Sequence, residues 1–213
     1  GGYENDTKGG MLHVASHHFS PGKKQWTWGN GDFGQAWYRN LTDEDGPYIE
    51  LMAGVYTENQ PDFTWLMPYE EKRFTQYFMP YRDLGVVKEA SKDLVFNIDK
   101  VGDSKVCFKL YATHLQHVKI VLRNDDGTIY LEETKDVSPK EVLVREVNVG
   151  DAEFSDLTFE VSKKFAYGSR IVLRWHAEDD EIRPIPDSAE AALPPHEVKT
   201  CLLYTSPSTR DRG

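Results

Sequence analysis

Between Ile49 and Tyr81 the chain reads IELMAGVYTENQPDFTWLMPYEEKRFTQYFMPY. This run sets Glu50, Glu58, Asn59, Gln60 and Asp62 among Tyr56, Phe63 and Trp65. Carboxylates and amides supply the donors and acceptors that hydroxyl groups need, and flat rings supply faces for the apolar side of a pyranose. The combination predicts a carbohydrate ligand. Glu50 is set on a strand, which aims its carboxylate rigidly, whereas Glu58 is set on a loop. Either is a candidate general base, a role that needs hydrogen-bond reach of the proton removed. Cleavage of a glycosidic bond uses two carboxyl groups, about 5–5.5 Å apart for retention and about 6.5–9.5 Å apart for inversion. Glu50 with Glu58 or Asp62 offers such a pair. The competing reading is a set of solvated acids beside a turn.

Histidine occurs three times upstream, at His13, His17 and His18. On one extended strand His13 and His17 would share a face, with His18 on the other. No carboxylate lies at a matching spacing, and zinc sites draw ligands from more than one element. These histidines therefore point to hydrogen bonding with a sugar, and neither a metal nor a cofactor is expected. Trp26, Trp28, Trp37, Tyr38 and Trp65 form a dense aromatic set in the same region. A strand over Gln25–Trp28 would place Trp26 and Trp28 on one face. Lys23, Lys24, Gln25, Asn30, Asp32, Gln35 and Arg39 around them suit a wet cleft, although a Trp stripe is more often core. Gly29, Gly31 and Gly34 allow close backbone approach to a ligand. They make no nucleotide fingerprint, because no strand, glycine turn and long helix surround them.

The elements that position these residues are short. Met11–Ser16 alternates as a half-buried strand, Ser20-Pro21-Gly22 is a turn, and Asp32 is placed to cap a short helix through Phe33, Ala36 and Trp37. Tyr48–Tyr56 and Phe74–Met79 read as the strands on either side of the acidic loop. From Asp93 the texture changes to LVFNIDKV, KVCFKLYAT, HVKIVLRN, TIYLEET, VLVREVNV, LTFEVSKK and RIVLRWHA. About seven short strands at this spacing predict an antiparallel sandwich, and Asn124-Asp125-Asp126-Gly127 is a strong hairpin signal. The expected fold is all-β. Residues 1–92 carry the candidate site, 93–180 form an accessory sandwich and 181–199 form a Pro/Ala-rich linker. Residues 200–213, ending CLLYTSPSTRDRG, read as a foreign tail, and the start Gly1-Gly2-Tyr3-Glu4 reads as internal to a longer protein.

The composition narrows the partners. With 25 basic and 35 acidic residues the 213-residue chain carries a net charge of −10, which argues against nucleic acid, and no Lys/Arg cluster that would overrule this average is expected. Hydrophobic content of 39% with 12% aromatic residues fits a folded domain rather than a disordered one. Cys107 and Cys201 make neither a disulfide framework nor a cysteine metal site. No apolar run has the length of a membrane span, and no signal peptide opens the chain. No membrane partner is expected, and no compartment is assigned.

Two resemblances sharpen these expectations. Glu58-x-Gln60 followed by Pro61-Asp62, then Leu66-Met67-Pro68-Tyr69-Glu70-Glu71 and the alternating Phe74, Gln76, Phe78, resembles the C-terminal strands of galactose mutarotase (aldose 1-epimerase). That resemblance implies part of a two-sheet β-supersandwich with a sugar cleft. By it Glu58 would be the base, and a histidine would protonate the ring oxygen. The histidine motifs of mutarotases are absent, a departure from the family pattern; His13, His17 and His18 are the histidines at hand, and His17 is the one taken into the catalytic set. HHFSPGKKQWTWGNGDFGQAW and LTDEDGPYIELMAGVYTENQPDF also resemble an uncharacterised bacterial family. Its members join a mutarotase-like supersandwich to a further β-domain and then to tetratricopeptide repeats, which implies further domains of a parent chain as partners. The expected catalytic set is Glu50, Glu58 and His17, and the expected sugar contacts are His18, Trp26, Trp28, Gln60, Asp62 and Trp65. The expected function is binding of a sugar, with epimerisation or glycoside hydrolysis at its anomeric carbon. The alternative is a non-catalytic glycan-binding or interaction module.

Overall fold

A computed structural model describes residues 1–56 and 64–180. Three of the expected site residues, Glu58, Gln60 and Asp62, lie outside the described residues, as do the expected linker and tail. In chain order the elements are β1 (Gly2–Glu4), β2 (Gly9–Ala15), β3 (Gly22–Thr27), α1 (Asp32–Thr42), β4 (Ile49–Gly54), β5 (Gln76–Arg82) and β6 (Glu89–Ala90). They continue as β7 (Leu94–Val101), β8 (Lys105–Ala112), β9 (Gln116–Asn124), β10 (Ile129–Val137), β11 (Leu143–Asn148), β12 (Leu157–Phe165) and β13 (Gly168–His176). The protein is all-β in class, and α1 is short. No helix among the described residues is long and apolar enough to cross a membrane.

The described residues fall into two compact units, 1–14 with 76–180 and 15–56 with 64–75. In the first, strands β7 to β13 form the antiparallel sandwich that their alternation predicts. One sheet runs β11-β8-β7-β6 and the other β10-β9-β12-β13. Along β8, Val106, Phe108, Leu110 and Ala112 are buried while the residues between them are partly exposed, which is the period of two set by the pleat. They meet Ile120, Leu122, Phe159, Val161 and Trp175 of the opposite sheet in one core. At its centre the rings of Phe96 and Phe159 stack at 4.0 Å and 18°. Each such side chain contributes roughly 1.5–3 kcal/mol by leaving water.

Strand β7 departs from alternation, being buried from Leu94 through Ile98. Leu94, Phe96 and Ile98 face the sandwich core, while Val95 joins Met79, Tyr81 and Leu84 in a second apolar cluster. Tyr3 and Leu12 of the three-stranded sheet β1-β2-β5 pack against that cluster. Asn97 is polar and buried there, and its amide donates to the Leu84 carbonyl and to the Asp99 carboxylate, both at 2.9 Å. The hairpin β9–β10 closes where Asn124–Gly127 predicts it, with Gly127 at φ +91°.

The second unit holds β3, α1 and β4. Two local expectations are corrected here. The strand that carries His13 ends at Ala15 rather than running on, because the Ser16 carbonyl accepts the amides of Phe19 (3.1 Å) and Ser20 (2.9 Å) and closes a turn. His17 and His18 sit on that turn, so His13 and His17 do not share a strand face. Asp32 does not cap α1. Gly31 occupies the cap position in an extended conformation, and Asp32 lies in the first turn, where its charge complements the helix dipole.

Candidate functional site

Strands β3 and β4 pair antiparallel with Trp26 opposite Glu50 and Lys24 opposite Met52. Directly opposed residues of a pair point to the same side, so the Trp26 indole and the Glu50 carboxylate share one face. Beyond Thr27 the chain turns at Gly29 (φ +82°), and Trp28 lies just past the strand rather than in it. Its ring still meets that of Trp26, at 5.1 Å and 54°.

Helix α1 completes the face. Phe33 and Trp37 are four residues apart and therefore lie on one side of the helix. Trp37 stacks on Trp28 at 4.8 Å and 13°, and Phe33 meets Trp28 at 6.1 Å. Gly34, buried on the same helix, lies against the Trp28 and Gly29 carbonyls so closely that a Cβ would sit 2.5 Å from the Trp28 oxygen. The small residue is what lets α1 approach the turn after β3 and bring the Trp28 and Trp37 rings together. Neither Phe33 nor Trp37 was among the expected sugar contacts, although their spacing of four in a helical segment carries that information.

The cluster is not a closed core. Trp26 is 38% exposed, Trp37 36% and Phe33 68%, while Glu50 is half-buried. Among the described residues the Glu50 carboxylate makes no hydrogen bond or ion pair. The Trp28 indole N–H is enclosed and finds no acceptor among the described residues. An enclosed donor left unpaired costs about 1–3 kcal/mol, which an acceptor brought by a ligand would recover. Trp26 and Glu50 on one side of the ribbon, with three further rings adjoining the Trp26 indole, make a surface that can stack on a flat ring and accept from its hydroxyls.

The remaining expected residues are placed as follows. His17 and His18 are exposed with their rings 3.9 Å apart, and among the described residues neither makes a hydrogen bond or ion pair. Trp65 is half-buried, and its carbonyl accepts from the Lys72 ammonium at 2.7 Å. The same ammonium sits 5.2 Å over the Tyr56 ring, whose edges also meet Phe19 and Phe74. Tyr56 holds a left-handed φ of +61°, uncommon for a bulky residue and maintained here by these ring contacts and by its amide bond to the Phe19 carbonyl at 2.8 Å. The structure thus brings Trp26, Trp28 and Glu50 together, adds Phe33 and Trp37, and anchors the residues that flank positions 57–63.

Comparison with known families divides the chain in two. Residues 1–81 match a family described only as a domain of unknown function, DUF5107, and residues 89–174 match the second domain of YphG-like proteins. Both families are uncharacterised. No solved structure matches the chain.

Proposed function

We propose that the chain binds carbohydrate through the aromatic face of β3, α1 and β4. The observation that carries this reading is the placing of the Trp26 indole on the same side as a half-buried Glu50 carboxylate that no described residue engages. The indole offers a platform for the C–H face of a sugar ring, and the carboxylate accepts from two adjacent hydroxyls. Trp37 and Phe33 widen the platform beyond a single ring. The resemblance of residues 58–78 to the closing strands of galactose mutarotase supports the same ligand class.

The form of the site favours a binding module over an enzyme. The exposed rings make a strip on the surface, and neither His17 nor His18 bonds to Glu50. Chemistry at an anomeric carbon is the second reading, carried by the Glu58-x-Gln60-Pro61-Asp62 run. A glycan array followed by a reducing-sugar and anomer-exchange assay on every hit separates the two. Binding without turnover is the expected result. An array with no hits refutes both, and turnover that is lost in Glu58→Gln establishes the enzyme.

A further inference from the structure

The hairpin joining β12 to β13 leaves its sheet. Pairing of β12 with β9 stops at Ser162 opposite Lys119, although β9 runs on to Gln116. The departure coincides with an irregularity in the β12–β13 register at Val161/Ser162, where β13 carries an extra residue. Bulges bend a ribbon and increase its twist. Past that point, among the described residues, Lys163 to Phe165 pair only with Gly168 to Arg170, so a two-stranded arm about 10 Å long projects at about 3.3 Å per residue.

The residues of this arm are layered. At its end Tyr167 is fully exposed and Phe165 is 50% exposed. Opposite Phe165 stands Gly168, and with Ser169 and Arg170 they border a shallow depression of about 200 Å³. One rung behind lies Lys164, and two rungs behind Lys163 stands directly opposite Arg170. Like charges in that position repel. From Val161 to Ala177 the sequence has four Lys/Arg and no Asp/Glu, in a chain of net charge −10. Arg174 engages Glu160, but among the described residues Lys163, Lys164 and Arg170 have no ion-pair partner.

Aromatic side chains foremost and cations one and two rungs behind is the order in which a lipid–water interface accepts them. Rings favour the depth just below the headgroups, and Lys and Arg favour the anionic headgroups. We propose that this arm docks the chain on an anionic lipid surface, reversibly and without any membrane span. The acidic remainder of the protein opposes approach, but screening over about 8 Å at physiological salt confines the repulsion to charges close to the surface. This proposal is independent of the carbohydrate reading.

Co-sedimentation of the whole chain with vesicles of phosphatidylcholine, with and without phosphatidylglycerol, tests it. Partitioning is expected only onto the anionic vesicles, with release by high salt, a readout that needs no variant. Lys164→Gln should lower the partition coefficient about five-fold, the equivalent of one basic contact. Phe165→Ser with Tyr167→Ser should lower it further while leaving the circular dichroism spectrum unchanged. The proposal is overturned if anionic vesicles are not bound, if both vesicle types are bound equally, or if arm variants bind as well as the parent. Capture of polyglutamate more tightly than of anionic vesicles also overturns it, and assigns the arm to an acidic polypeptide.

Discussion

Trp26 and Glu50 stand directly opposite each other across β3 and β4, and their side chains leave the sheet on the same side. An indole and a carboxylate on one side of a ribbon offer a two-part contact, in which stacking and hydrogen bonding fail separately. Trp26→Ala should weaken the affinity for a sugar found on the array about ten-fold, within the range for loss of an aromatic contact. Glu50→Gln keeps volume and removes charge, and it should weaken binding by a similar factor. Isothermal titration calorimetry on both variants checks this. Affinities unchanged in both would move that sugar away from this face.

Gly34 offers a test of the platform that touches no ligand contact. In an exposed helix Gly→Ala ordinarily stabilises by about 0.5–1 kcal/mol. Here the added Cβ meets two main-chain carbonyl oxygens, which cannot swing aside as a flexible side chain would. Gly34→Ala should therefore destabilise by about 1–3 kcal/mol and separate Trp37 from Trp28. Urea unfolding gives the first quantity, and the near-ultraviolet circular dichroism of the indole stack gives the second. A more stable variant would show that α1 can shift without loss.

Much of this architecture is legible residue by residue. The alternation of Val106, Phe108 and Leu110 announces a strand with one core face, and Asn124–Gly127 announces its hairpin. The continuous burial of Leu94 to Ile98 carries no period, because a second layer covers the other face of β7. Only the fold shows that layer. Ser16 ends β2 through its carbonyl, a main-chain event without a side-chain signature, so alternation alone carries the strand too far toward His17. For the site, Trp26, Trp28 and Glu50 were visible as types. The part played by Phe33 and Trp37 depends on how closely α1 approaches, which Gly34 sets.

Asn97 shows what the second layer asks of a polar residue. Its amide is the donor for the Leu84 carbonyl, in a place where water has little access. Asn97→Ala removes that donor and leaves the carbonyl without its side-chain partner. The expected loss is about 1–3 kcal/mol in urea unfolding. Phe159→Ala, which hollows out the sandwich core against Phe96, should cost about 3–5 kcal/mol by the same measurement. A smaller effect at Phe159 than at Asn97 would mean that the sandwich core collapses around the missing ring.

Asp126 gives the pH dependence its sign. Its carboxylate accepts the Thr128 amide at 2.7 Å, and hydrogen bonds from Thr128 hold its pKa below the ordinary 3.8. A folded value below the unfolded one means that the bonded carboxylate adds stability above the ordinary value. That contribution fades as pH falls through the lowered folded value. The stability gap between the parent and Asp126→Ala should then be full near neutral pH and shrink under acid, as followed by urea unfolding across that range. Because the carboxylate is exposed, solvent screens it and the gap is small at any pH. A gap that widens under acid would reverse the sign and remove the hydrogen bond from the account of this turn.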